Sequence, residues 1–85
     1  PVTITNGLGG YDIYYVYISP STESEWGDDF LGTVALADMG VLTAWVDPGT
    51  YDIMIQDIDG DTYTRYEVEI GSSGYAWEVT LADMD

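Results

Sequence analysis

The chain has no cysteine, no histidine and no lysine, and its single basic side chain is Arg65. Without cysteine there is no disulfide framework and no redox compartment to read from one. Without Cys and His the usual structural zinc site lacks its ligands. Ser-His-Asp and Cys-His nucleophilic catalysis are excluded on the same ground, and lysine-based variants fall with them. Sixteen carboxylates face that one arginine, for a net charge of −15. Nucleic acid and anionic membrane are held by Lys/Arg stripes, so both are excluded as partners. No window longer than a turn has helical periodicity, and no transmembrane run, signal peptide or targeting motif is visible. A glycosidase-type pair of carboxylates is permitted by composition. A chain of 85 residues has little room for a deep substrate cleft beside a core, however, and the expectation is that it is not an enzyme.

What the chain does have is aromatic and β-branched. Eight Tyr and three Trp separate it from a disordered acidic tail. Turn signals recur about every ten residues between Val/Ile/Thr/Tyr-rich runs. Residues 2–6 (VTITN) alternate as a first strand, followed by flexible turns at Asn6-Gly7 and Gly9-Gly10. Residues 11–19 (YDIYYVYIS) are apolar on both faces, with Tyr11, Ile13, Tyr15 and Tyr17 on one and Tyr14, Val16 and Ile18 on the other. Such a strand is central or has its outer face covered, by the following loop or by another copy of the protein. That loop, residues 20–32, carries its own apolar anchors, Trp26, Phe30 and Leu31, and is expected to pack. Short strands are expected at 33–36 and 41–46, and residues 75–81 alternate Tyr75, Trp77, Val79 and Leu81 inward. The tetrapeptide LADM occurs at residues 36–39 and again at 81–84, most simply as a strand-ending turn used twice. The expected fold is all-β: one domain, residues 1–85, forming an antiparallel β-sandwich of about six or seven strands.

Residues 47–70 are the strongest local signal. Asp59-Gly60 lies between alternating apolar runs and predicts a two-residue type I′ hairpin turn. That turn sets Ile53 opposite Tyr66 and Tyr51 opposite Val68. Tyr51, Ile53, Ile55, Thr64, Tyr66, Val68 and Ile70 then share one face. It also sets Asp52 across from Glu67, a like-charge pair for which Arg65 is the nearest relief.

Oxygen-rich, nitrogen-poor side chains suit hard cations. Asp57, Asp59 and Asp61, at spacings of two around the hairpin tip, form the best candidate Ca²⁺ site, and Asp28 and Asp29 in the following-loop sequence WGDD form a second cluster. If loops at one end of the sandwich converge, the two clusters share an ion. No bidentate Glu stands at the EF-hand spacing. The competing reading is a solvated acidic surface. Trp26, Trp45, Trp77 and the tyrosine-rich strand also permit a sugar-stacking platform, although aromatics in a small sandwich are mostly core.

Residues 46–53 (VDPGTYDI) resemble the V-x-P-G-x-Y-x-[VI] turn–strand signature of transthyretin-like and carboxypeptidase-regulatory-like β-sandwiches. The resemblance implies that Tyr51 packs in the core and that Gly49 permits the turn. More broadly, NGLGGYDIYYVYISP at residues 6–20, followed by WGDDFLG at 26–32, is similar to small bacterial envelope or secreted domains with an IYYxYxSPS…WGxDLLG pattern ahead of a PGxYD hairpin. It implies a fold and a location rather than an activity. Sandwich domains with Lys–Asn isopeptide crosslinks are no guide, since there is no lysine. The chain starts at Pro1, as a processed or trimmed N-terminus would, and an acidic, cysteine-free, β-rich chain fits a secreted, periplasmic or cell-surface location. The functional expectation is a non-catalytic structural or interaction module. It would be Ca²⁺-stabilised and self-associating, the subunit of an envelope assembly or extracellular filament, because an open sandwich without lysine leaves its edges unguarded. The alternative is a carbohydrate-binding module.

Overall fold

Alternation of apolar residues predicts which side chains meet, and in the computed structural model, which describes residues Pro1–Asp85, they meet between two sheets. Six strands form: β1 (Val2–Asn6), β2 (Ile13–Pro20), β3 (Val41–Ala44), β4 (Gly49–Asp57), β5 (Thr62–Ile70) and β6 (Tyr75–Val79), followed by a 3₁₀ turn at Leu81–Asp83. One sheet has the order β3-β1-β6 and the other β2-β4-β5. Side chains from both sheets fill the space between them, with Val2, Ile4, Ile13, Val16, Ile53, Ile55, Tyr63, Ile70, Trp77 and Val79 essentially inaccessible. This is the small all-β sandwich expected.

The chain crosses between sheets at nearly every connection, and β4–β5 is its one tight hairpin. β1 is the central strand of its sheet, antiparallel to β3 and parallel to β6. Its buried positions Val2, Ile4 and Asn6 alternate with half-buried Thr3 and Thr5. Both of its edges are bonded, so residues 2–6 offer no free edge to a neighbouring subunit, and unguarded edges have to be sought elsewhere in the sandwich. The predicted strand at 33–36 shrinks to a single bridge, Leu36 to Ile13. Leu81 is 48% exposed and belongs to the 3₁₀ turn instead of continuing β6. The LADM copies have different backbones, one a turn with Met39 at φ 65 and the other this 3₁₀ turn.

Two register shifts decide the faces of the second sheet. In β2, a bulge between Ile13 and Tyr15 lets Ile13, Val16 and Ile18 all point inward. Tyr14 and Tyr15 are left about equally exposed, which a strictly alternating strand forbids. The chain's own loop, one of the two covers expected, shields part of the outer face, around Tyr17 and Ser19: Trp26 lies 6.4 Å from Tyr17, and Ser19 Oγ donates to the Glu25 carbonyl.

In the hairpin the turn is where it was predicted but one residue longer. Gly60 N–H donates to the Asp57 carbonyl and Asp57 N–H to that of Asp61. Gly60 is left-handed at φ 85, whereas Ile58 and Asp59 are not. That is a three-residue loop ending in a glycine bulge rather than a two-residue type I′ turn. The extra residue moves the register by one, so Ile53 faces Arg65, not Tyr66, and Ile55 faces Tyr63. Tyr63 is consequently buried and Tyr66 is 69% exposed. A second irregularity between Tyr51 and Ile53 restores the predicted pairing of Tyr51 with Val68. Its extra residue, Glu67, sits at φ 52, and its N–H donates to Asp52 Oδ1 at 2.9 Å. The like-charge pair predicted there is relieved by a main-chain amide, and Arg65 takes no part.

Candidate functional site

The hairpin tip gathers Asp57, Asp59 and Asp61, with one carboxylate oxygen from each lying within 4.8 Å of the others. Asp57 is turned inward and only 3% exposed, while Asp59 and Asp61 stand in solvent. The inward turn is local in origin. Asp57 Oδ1 accepts the N–H groups of Asp59 (2.9 Å) and Asp61 (3.0 Å), bonds to its own turn that Asp makes readily. Asp57 Oδ2 accepts the Tyr63 hydroxyl at 2.6 Å. Burial, that hydrogen bond and the charges of Asp57, Asp61 and Asp59 push the Tyr63 hydroxyl far above its ordinary pKa. Each carboxylate oxygen has two lone pairs, so Oδ1 is fully used and Oδ2 keeps one free. Tyr11, Leu81 and Met84 wall the tip on its apolar side, leaving a cleft of about 220 Å³.

Asp28 and Asp29 do not join this cluster. Asp29 lies against the middle of β2, where its Oδ1 accepts the N–H of Val16 (2.8 Å) and of Leu31 (3.0 Å). Phe30 N–H donates to the Val16 carbonyl beside it. Its other oxygen, Oδ2, is buried without a partner. Burial and, after it, the Asp29 charge raise the neighbouring Tyr17 hydroxyl. Asp28 is exposed at the loop surface. The two acidic clusters stay apart because the loop is pinned to the strand centre instead of running to the hairpin end.

Arg65 has a structural role, though not the one read from the sequence. The shifted register turns it toward β6, where its guanidinium carbon lies 4.2 Å from the centre of the Trp77 ring. Nη1 donates to the Tyr75 hydroxyl at 2.6 Å, and Nη2 lies 3.6 Å from Asp83. Asp83 also accepts from the Thr80 main-chain amide and Trp77 Nε1, and these bonds with the arginine hold its carboxyl below the usual range against the opposing effect of burial. Asp85 docks on the edge of β5. Its N–H donates to the Thr62 carbonyl, and its carboxylate accepts from Thr64 N–H and both threonine hydroxyls.

Sequence reasoning passed over Asn6. It is fully buried, donates from Nδ2 to the carbonyls of Tyr11 and Leu36, and accepts the Leu8 amide. An Asn-Gly pair signals a turn, and nothing local distinguishes an asparagine that ties three chain segments together. Tyr51, expected in the core by resemblance, is half-buried and donates to the Asp47 carbonyl at 2.7 Å, closing the turn that precedes β4. Gly49 fits beneath it: a Cβ there would stand 3.4 Å from the Tyr51 ring.

Comparison of the chain with protein-family models, with curated proteins and with solved structures finds no match.

Proposed function

We propose that the chain is a non-catalytic, self-associating structural or interaction module of the cell exterior that binds Ca²⁺ at the tip of the β4–β5 hairpin. One observation carries the metal reading: three carboxylate oxygens lie within 4.8 Å of one another. That is the largest separation two ligands on one ion can have when each Ca–O bond is about 2.4 Å. Asp59 and Asp61 supply free carboxylates, Asp57 Oδ2 supplies its remaining lone pair, and water completes the shell. A flexible shell of this kind suits Ca²⁺ better than the strict octahedron of Mg²⁺. At a net charge of −15, any cation held by the folded state also relieves self-repulsion. Self-association is supported by β3, an edge strand on which Val41 (56%) is exposed and just past which Trp45 (78%) is exposed, with no lysine to guard it. An exterior location is supported by composition alone.

Thermal unfolding in calcium, in magnesium and in sodium of matched ionic strength tests the site. A ligand at a hundredfold excess over Kd stabilises by roughly 2.7 kcal/mol. A rise in Tm with calcium that sodium reproduces would leave the aspartates a solvated surface. Sedimentation with and without EDTA tests assembly, and a monomer persisting at high concentration in calcium contradicts it. A second reading, carbohydrate binding, is favoured by the parallel rings of Tyr15 and Tyr17 (6.1 Å, 7°) with Trp26 beside them. Titration with soluble oligosaccharides, followed at the Trp26 indole N–H resonance, decides it.

A further inference from the structure

Beside the outer face of β2, β4 and β5, well away from the hairpin tip, Ser19, Glu23, Glu25, Trp26, Asp52 and Tyr66 line a cleft of about 220 Å³. A second cleft, of about 410 Å³, shares Ser19, Glu23, Glu25 and Trp26 with the first and reaches Asp28 and Phe30. The two form one groove past Trp26, bearing four carboxylates and no basic group. One oxygen of Asp52 already accepts the Glu67 N–H. The chain's one ion pair lies elsewhere, between Arg65 and Asp83.

That ion pair shows what such a residue set binds. Arg65 is held by the face of a tryptophan, a tyrosine hydroxyl and an aspartate. The groove repeats these types at the surface, with Trp26, Tyr66 and the carboxylates of Asp52, Glu23 and Glu25. We propose that this groove binds the guanidinium or ammonium group of a basic segment of a partner protein. A cation is attracted to an aromatic face, and the attraction grows when carboxylates lie beside it. The long-range field points the same way, since a surface at −15 draws basic chains from a distance. A second copy of this chain is not the occupant, because its only basic side chain is already engaged.

The probe is a capped Gly-Arg-Gly-Arg-Gly peptide, titrated into the whole chain and followed by backbone and indole amide shifts. A peptide with citrulline in place of arginine keeps the shape and loses the charge. The expected result is saturable binding centred on Trp26, Asp52 and Tyr66, about tenfold weaker for citrulline. Glu25→Gln, at an exposed position, weakens the arginine peptide by about tenfold, and Trp26→Ala does so where the variant folds. Glu78→Gln, on the other sheet, removes the same charge without effect. Equal weakening by Glu78→Gln would reduce the interaction to diffuse electrostatics and overturn the proposal. So would equal affinity for citrulline, shifts centred on Asp59 and Asp61, or no binding at millimolar peptide.

Discussion

The hairpin tip and the loop at residues 26–32 hold the same device, an aspartate oxygen accepting two main-chain N–H groups, and they complete it differently. At the tip, Asp57 takes both donors from its own turn, and its second oxygen takes the Tyr63 hydroxyl. In the loop, Asp29 takes one donor from its neighbour Leu31 and one from Val16 in another strand. Its second oxygen is buried with nothing to accept from. A tyrosine stands near each aspartate. Tyr63 bonds its partner, whereas Tyr17 feels Asp29 only as a charge. The contrast is between local and long-range closure. A turn can be built around a carboxylate so that each oxygen it buries has a partner. A tether between two separately folded segments fixes one oxygen and leaves the other where packing puts it, at a cost of about 1–3 kcal/mol for a buried unpaired group.

The largest predicted effect breaks the tip. Asp57→Ala removes the acceptor of three donors and leaves a buried tyrosine hydroxyl unpaired, for a loss of about 3 kcal/mol or more in urea unfolding. Asp29→Ala costs less, about 2 kcal/mol, because the two lost bonds are partly offset by removal of the unpaired oxygen. If Asp29→Ala proves as costly as Asp57→Ala, the two sites are equivalent and the contrast fails. Next comes Tyr63→Phe, at about 1 kcal/mol near neutral pH. It carries a signature in alkali. The folded-state pKa of Tyr63 is raised above 10.0, so its contribution is complete below that pH and is lost as pH climbs beyond it toward the folded value. Urea midpoints measured on either side of pH 10.0 should fall for the wild type and fall less for Tyr63→Phe. Tyr17, also raised, supplies a residual slope.

Much of this was legible in the residues. The sandwich, the hairpin position and the inward faces of β1, β4 and β6 follow from alternation, and the 57-59-61 spacing marked the acidic cluster. Loop length was not legible. Asp59-Gly60 serves a two-residue turn or the end of a three-residue one equally well, and the choice is made by Asp57 closing on the amides of Asp59 and Asp61. One residue of difference exchanged Tyr63 for Tyr66 in the core and turned Arg65 from solvent toward Trp77. Both tyrosines fit the local pattern. Besides the closure by Asp57, what favours the observed register comes from outside the hairpin, where Trp77 of β6 and Asp83 of the 3₁₀ turn receive Arg65. The bulges at Tyr14 and Glu67 are tertiary in the same sense, since each adjusts a strand to a neighbour that the local sequence does not name.

The smallest effects sharpen the comparison through sign. Asp59 belongs to a group of three carboxylates within 4.8 Å, whereas Asp28 has only Asp29 beside it in sequence and joins no such group. Without divalent ions, each added like charge at the tip is a net repulsion, weakened by solvent exposure. Asp59→Asn should therefore raise stability, by no more than about 0.5 kcal/mol as for most surface substitutions. Asp28→Asn should raise it less. Salt at about 0.1 M, with a Debye length of about 10 Å, should shrink both increments. Calcium should separate them. At the tip the removed charge is then a ligand, so Asp59→Asn becomes destabilising relative to the wild type, and Asp61→Asn with it. In the loop Asp28→Asn keeps its small positive sign. Chelator restores the original order. An Asp59→Asn increment that keeps its sign in calcium means that the tip carboxylates repel one another with or without the ion, and the metal reading falls while the hydrogen-bonded turn around Asp57 stands.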